Sequence, residues 1–324
     1  MSDYISQRPL KILLANPRGF CAGVSRAILI VEKLIENHGP PVYVRHEIVH
    51  NRHVVDSLRD KGAVFIDELE QVPDGAPVVF SAHGVASAVI KEADMRGLGY
   101  IDAACPLVHK VHSEVVRHAA EGRHVIVIGH KKHQEVIGIQ GQVDEASTTV
   151  VETVADAESI HVDSNMGVAY VTQTTLSVDE TRDIINVLRQ RFPALQEPHK
   201  NDICYATSNR QNAVKLLAEY CDAIIVIGGS NSSNTRRLLE TAERAGCERV
   251  VQVCDYTEID WQFLKGVKTL GITGGASTPE LLIQDLIKAC KLNFRVSVED
   301  LIAENENVHF NLSHRVEVKL TELV

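Results

Sequence analysis

Short apolar runs recur along the chain, each long enough for one strand: residues 10–14, 42–44, 63–66, 77–82, 124–129, 148–151, 167–172, 223–229, 249–253 and 269–273. Between them lie stretches with helical i, i+3, i+4, i+7 spacing, such as Val24, Ala27, Ile28, Val31, Leu34 and Ile35. Strand alternating with helix predicts βαβ units and an α/β fold of small parallel sheets. No Gly-x-Gly-x-x-Gly turn opens any of these units, so a dinucleotide-binding fold is not supported.

The pattern repeats on a larger scale. The run 10–14 ends in Ala15-Asn-Pro-Arg-Gly-Phe-Cys-Ala-Gly-Val, whose glycines and Pro17 predict a tight turn with Cys21 at the start of a helix. Backbone N–H groups and the helix dipole favour a thiolate there, which suits a ligand or a nucleophile. Cys105 opens a second helical pattern (Leu107, Val111, Val115, Ala119) and Cys204 a third (Val214, Leu217, Ala218). Each is followed by a strand and a polar loop: His46 to His50, His130-Lys-Lys-His-Gln-Glu135, and Gly228-Gly-Ser-Asn-Ser-Ser-Asn234. His50 lies 29 positions after Cys21, His133 28 after Cys105, and Ser232 28 after Cys204. A further helix and strand lead to second loops, Ser81-Ala-His83-Gly84, Thr172-Gln-Thr174-Thr175 and Thr273-Gly-Gly-Ala-Ser277. One such spacing would be chance; three of them predict an internal repeat of roughly one hundred residues.

The units run over 20–104, 105–203 and 204–290, with the N-terminal strand 10–15 completing the third. Short strands at 100–103 and 201–203 are expected to lead into Cys105 and Cys204, and 291–324 reads as an extended C-terminal tail. Ligands of parallel α/β units collect beyond the carboxyl ends of the strands. The expected fold is therefore three pseudo-threefold-related α/β units around a central cavity lined by three cysteines and six loops.

Composition narrows the chemistry. The chain has 44% hydrophobic and 23% charged residues, as a globular protein does, and a net charge of −10 that argues against nucleic acid as a partner. No apolar run approaches a membrane span, and the first residues lack a signal-peptide core, so a cytoplasmic protein with no membrane partner is expected. Seven scattered cysteines do not make a disulfide framework in that setting; metal or catalytic use is expected.

Cysteines from three separate units fit structural zinc poorly, since zinc wants four ligands and commonly close pairs. They suit an iron–sulfur cluster held by three thiolates, with one iron left open. Cys221, Cys247, Cys254 and Cys290 fall off the repeat and read as small core residues. The loops are rich in His, Ser, Thr and Asn, donors that suit a phosphate or diphosphate. Glu135 is read as the single carboxylic acid of these loops, placed beside His133 to keep or deliver a proton, and a nearby diphosphate would raise its pKa. Lys131 and Lys132 read as surface charge.

The motifs Asn16-Pro-Arg-Gly-Phe-Cys-Ala-Gly, Arg45-His-Glu-Ile-Val-His-Asn, Ser81-Ala-His-Gly-Val, Asp102-Ala-Ala-Cys-Pro-Leu-Val, Gly129-His-Lys-Lys-His-Gln-Glu, Thr172-Gln-Thr-Thr-Leu-Ser and Ala206-Thr-Ser-Asn-Arg-Gln resemble, in that order, the 4-hydroxy-3-methylbut-2-enyl diphosphate reductase family. The resemblance runs from Lys11 to Glu280. It implies the last step of the non-mevalonate isoprenoid pathway, in which an allylic alcohol diphosphate loses its hydroxyl as water. It further implies that Cys21, Cys105 and Cys204 hold a [4Fe–4S] cluster with one open iron. By the same resemblance His50, His83, His133, Thr174, Ser232, Ser233, Asn234 and Ser277 bind substrate, and Glu135, His133 and Thr174 serve catalysis at the hydroxyl end. No flavin or nicotinamide site is evident, so ferredoxin or flavodoxin is the expected electron donor, and the chain is expected to act as a monomer.

Two other readings share the three-cysteine logic. A quinolinate-synthase-like dehydratase would handle carboxylates and should line its loops with arginines, which these loops lack. A non-catalytic iron–sulfur sensor or phosphate-binding module would have no need of Glu135.

Overall fold

The computed structural model describes residues 8–163 and 166–323. The strands are β1 (Pro9–Asn16), β2 (Val42–Arg45), β3 (Ala63–Ile66), β4 (Val78–Phe80), β5 (Tyr100–Asp102), β6 (Arg123–Ile128), β7 (Thr148–Val151), β8 (Gly167–Thr172), β9 (Ala223–Ile227), β10 (Val250–Val253), β11 (Thr269–Gly274) and β12 (Arg295–Ile302). The helices are α1 (Ala22–His38), α2 (Arg52–Asp60), α3 (Ser87–Met95), α4 (Pro106–Ala120), α5 (Gln134–Gln140), α6 (Val154–Ser159), α7 (Val178–Arg191), α8 (Tyr205–Tyr220), α9 (Ser233–Arg244), α10 (Glu280–Asn293) and α11 (His314–Glu322). The fold is α/β with three small parallel sheets, distributed over two compact units.

The first unit combines the described residues up to Cys21 with Tyr205–Val308. Its five strands run in the order β10-β9-β11-β1-β12, all parallel. The N-terminal strand thus lies inside this sheet, with Ile12 beside Leu270 on one flank and Val298 on the other. Alternate residues of β1 serve opposite faces, as the pleat requires. Leu10, Ile12 and Leu14 pack with Ile225, Ile272, Ile283 and Leu286. Leu13 and Ala15 pack with Val214, Leu217, Val226 and Leu238 on the other side. Burial on both faces is what turns central parallel strands into nearly continuous apolar runs.

The second unit holds Ala22–Cys204 and the stretch from His309 onward. One sheet runs β3-β2-β4-β5 and the other β7-β6-β8, again parallel throughout. Residues 201–203, expected as a strand, are not one. The Asp202 carboxylate instead accepts the Thr172 N–H at 3.0 Å, so a side chain caps the end of β8 where a neighbouring strand would have paired.

The C-terminal stretch departs from an extended tail. Its first part, β12, is a strand on the exposed edge beside β1, with Lys11 paired to Glu299 at 2.8 Å. Its last part is helical. Ser313 caps α11 by accepting the Val316 N–H, and Val316 and Leu320 supply a buried i, i+4 pair. The Lys319 ammonium donates to the Tyr100 carbonyl at 3.0 Å and sits 3.9 Å from the centre of that ring.

Leu286 is fully buried between α10 and the five-stranded sheet. Leu286→Ala should cost about 2–5 kcal/mol, through lost transfer energy and the cavity left behind, measured as a shifted midpoint in denaturant unfolding.

Candidate active site

Each repeat cysteine sits at the carboxyl end of a sheet and immediately before a helix: Cys21 before α1, Cys105 before α4, Cys204 before α8. Each backbone N–H is held by the carbonyl of a second polar loop. Cys21 N donates to Ala276 O at 3.1 Å, Cys105 N to Ala82 O at 3.0 Å and Cys204 N to Thr174 O at 3.0 Å. The turn before Cys21 needs its glycine: Gly19 has φ +66°, and a Cβ there would meet the Thr278 carbonyl at 3.0 Å.

Burial pushes the Cys221 and Cys290 thiols up to about 12 and raises those of Cys247 and Cys254 as well, which disfavours a thiolate at these four positions. Among the described residues no three His, Cys, Asp or Glu side chains gather around a position for a single metal ion.

Three histidines from separate loops come together in the second unit. The His50 and His83 rings stack with centroids 4.2 Å apart, and His133 stands edge-on to both at 5.4 and 5.8 Å. Desolvation, reinforced by the facing imidazoles, holds His83 well below its usual value; desolvation and the neighbouring His50 and His130 bring His133 to about 3. Both are therefore neutral at pH 7. His133 caps α5, its Nδ1 accepting the Glu135 N–H at 3.2 Å, which leaves the ring proton on Nε2.

Glu135 follows in the first turn of α5 and is only 2% exposed. Its Oε1 accepts the Thr174 N–H at 2.6 Å. Burial raises its pKa to about 7, Asp202 adding to the rise while hydrogen bonds from the Thr174 backbone and hydroxyl work against it. From sequence, a bound diphosphate is the expected cause of such a shift; here desolvation produces it from the protein alone.

Two side chains in these loops escape the motif reading. Glu47, overlooked when Glu135 is taken as the only loop carboxylic acid, places Oε2 3.1 Å from His50 Nδ1, so the ring donates there and Nε2 faces elsewhere. Gln173 is fully buried, accepts the His130 N–H at 3.1 Å and donates to Thr175 Oγ1 at 2.9 Å, tying two site loops together. Spacing alone offers a signal for Glu47, three residues before His50, and none for Gln173. Lys131 and Lys132 are exposed, as expected.

In the first unit Ser232 caps α9, accepting the Thr235 N–H at 3.3 Å, with Ser233 and Asn234 in the first turn. Asn234 is buried, and neither its amide nitrogen nor its amide oxygen has a protein partner. Ser277 is buried on the loop after β11. Small residues keep this end open: a Cβ on Gly275 or Gly228 would meet Thr235 Oγ1 at 2.2 or 2.5 Å. Hydroxyls and an orphaned amide at a helix start suit an anionic oxygen group.

The fold and these groups define an α/β enzyme with acid–base and anion-binding side chains at strand ends. Residues 12–291 match the family described as LytB protein. The 4-hydroxy-3-methylbut-2-enyl diphosphate reductase of Ruegeria pomeroyi is 54% identical over 308 residues, covering 95% of this chain and 98% of its own. The reductase numbered 2 of Rhodopseudomonas palustris is 52% identical, covering 94% and 96%. The solved structure of the Plasmodium falciparum E-1-hydroxy-2-methyl-but-2-enyl-4-diphosphate reductase superimposes with a TM-score of 0.90 at 37% identity, covering 98% of this chain and 99% of that one. The chain belongs to the LytB protein family.

The raised pKa of Glu135 has a consequence for stability. Between about pH 4.5 and about 7 the unfolded carboxyl ionises while the folded one keeps its proton, so the group costs stability as pH rises through that window. Thermal unfolding across this range should show wild type losing stability relative to Glu135→Gln, with the difference levelling off above about pH 7.

Proposed function

We propose that the chain reduces (E)-4-hydroxy-3-methylbut-2-enyl diphosphate to isopentenyl and dimethylallyl diphosphates, the terminal reaction of the non-mevalonate pathway. The relatives that match nearly its whole length carry this activity in their names, and the family match decides against the dehydratase and sensor readings. The observation that carries the chemistry is Glu135: a buried carboxyl with a pKa of about 7, bonded to Thr174 beside neutral imidazoles.

In this reading Cys21, Cys105 and Cys204 are the ligands of a [4Fe–4S] cluster. Their fit is supported by helix-start positions and by the tethered backbone N–H of each. Such a cluster, when bound, supplies electrons one at a time and a Lewis-acidic iron. The chain's own groups then have separate tasks. Ser232, Ser233, Asn234 and Ser277, with His50 and His83, hold the diphosphate. His133 and Thr174 hold the hydroxyl end. Glu135 delivers a proton to the departing oxygen, so the carbon–oxygen bond breaks with water rather than hydroxide leaving. Two electrons and a second proton, taken up by the allylic carbons, complete the balance. The electrons come from a small redox protein, ferredoxin or flavodoxin. No helix among the described residues is long and apolar enough to cross a membrane. The same reading makes the enzyme a cytoplasmic monomer.

Glu135→Gln keeps size and one acceptor but removes the transferable proton. Turnover should fall on the order of a hundredfold to ten-thousandfold, while iron content and substrate affinity hold. Near-normal turnover would assign the proton to another donor, and lost iron would make the residue structural.

The ligand set has its own test. Serine at Cys21, Cys105 or Cys204 should strip iron from the anaerobically purified protein, whereas Cys254→Ser should retain it. Iron kept by Cys105→Ser and lost by Cys254→Ser would overturn the assignment.

A further inference from the structure

Three cations, two of them outside the motifs and one, Arg210, within the motif 206–211, stand in one relation to the three cysteines. Arg26 lies on α1, five residues after Cys21; its Nη1 donates to the carbonyls of Ala103 and Ala104, at 3.4 and 3.2 Å, immediately ahead of Cys105. Lys110 lies on α4, five residues after Cys105; its ammonium donates to Lys200 O at 2.5 Å, Asn201 O at 3.3 Å and Asp202 Oδ1 at 2.8 Å, just ahead of Cys204. Arg210 lies on α8, six residues after Cys204. Its Nε and Nη2 donate to Gly19 O at 3.0 and 2.8 Å, and Nη2 to Phe20 O at 3.2 Å, immediately ahead of Cys21.

We propose that Arg26, Lys110 and Arg210 are positioning residues for the cysteine ligands, each reaching from the helix that follows one cysteine to the backbone that leads into another. The proposal rests on the reading of Cys21, Cys105 and Cys204 as the cluster ligands.

The geometry at two of the cysteines is complete. The peptide plane before Cys21 has its C=O end, on Phe20, held by Arg210, and its N–H end held by Ala276 O. The plane before Cys105 has its C=O end, on Ala104, held by Arg26, and its N–H end held by Ala82 O. A plane fixed at both ends fixes the direction in which the next Cα–Cβ bond leaves, and so where the sulfur points. At Cys204 the cation acts a few residues earlier, through Asp202, which also caps β8.

The charges have a reason to be there. Arg26 is 8% exposed and forms no ion pair among the described residues; burial lowers its pKa, and the groups that favour its charge against that are Asp102 and the thiolate form of Cys105. A neutral donor could satisfy two carbonyls at less desolvation cost, so a cation at this position is explained by an anionic ligand beside it. Arg210 is fully buried and is neutralised by Glu306, with Nη1 to Oε2 at 3.1 Å and Nη2 to Oε1 at 3.2 Å. Glu306 also accepts from Asn209 Nδ2 at 3.1 Å, so a stretch of the C-terminal region that carries no site residue holds the Cys21 turn through Arg210.

The test compares anaerobically purified holoenzyme of wild type, Arg26→Gln, Arg26→Lys, Glu306→Gln and Cys105→Ser. The measurements are the half-time of iron loss to a ferrous chelator and the thermal unfolding midpoint of each apoprotein. Arg26→Gln and Glu306→Gln should lose iron about tenfold or more faster than wild type, the size of effect that outer partners of metal ligands carry. The Arg26→Gln apoprotein midpoint should stay at the wild-type value, Glu306→Gln, which leaves the buried Arg210 guanidinium without its anion, should lower its own, and Arg26→Lys, which keeps a charge and a donor, should recover most of the retention. Wild-type iron loss in both variants would overturn the proposal. So would faster loss in Arg26→Gln that merely follows a lowered apoprotein midpoint, or that Arg26→Lys fails to reverse. If Cys105→Ser keeps its iron, the ligand reading falls and this proposal with it; if Cys105→Ser loses iron while Arg26→Gln does not, this proposal alone falls.

Discussion

A parallel strand that turns directly into a helix leaves backbone N–H groups unpaired at one end of its sheet, and the functional chemistry of this chain depends on that constraint. The three repeat cysteines and the histidines His50, His83 and His133 lie on such turns or on the loops beside them. The cysteines show how the constraint is used. Their N–H groups donate to carbonyls of the second polar loops, so each cysteine turn and the polar loop beside it are held by one hydrogen bond. Packing then makes these turns rigid: β1, with both faces buried, carries the Cys21 turn at its end.

The histidine–glutamate cluster shows the cost of preparing such a site. Desolvation suppresses charge on His83 and His133 and also on Glu135, and the two effects bear on stability in opposite directions. Histidines held neutral lose stability for the fold as pH falls below 6.5, because the unfolded rings take up protons more readily. A carboxyl held protonated loses it as pH rises from 4.5 towards 7. The site is thus a net liability to the fold on both sides of that range. What is gained is three neutral groups able to act by hydrogen bonding and proton delivery, as the proposed reaction beside a diphosphate requires.

Much of this was legible in the sequence, and the limits have physical reasons. Central strands of parallel sheets are apolar on both faces, so β6, β9 and β11 announce themselves as unbroken runs. The stretch at 201–203 did not become a strand because Asp202 spends its carboxylate on the Thr172 N–H, a use that composition does not reveal. Helix α11 hides behind a short polar segment and shows only two buried residues, Val316 and Leu320. Glu47 lies within a recognised motif yet is overlooked when Glu135 is taken as the only loop carboxylic acid; its contact with His50 is what gives it a place in the cluster. Glu135 was legible as an acid; the source of its raised pKa was not, since burial is a property of what surrounds it.

The cations ahead of the cysteines mark the clearest boundary of sequence reading. Arg210 and Gly19 are 191 positions apart, and on a helix wheel Arg210 is an ordinary polar residue. Its meaning comes from what it meets: the two carbonyls ahead of Cys21, to which it donates, and a glutamate that makes its burial tolerable. Arg26 lacks such a glutamate and leans instead on Asp102 and Cys105. The difference follows from surroundings, because a guanidinium with no access to water must be balanced by some anion. At Cys21 the protein supplies that anion as Glu306, from outside the repeat. In the proposed ligand reading, part of the balance at Cys105 falls to its thiolate, which would couple that charge to the order of the turn that presents it.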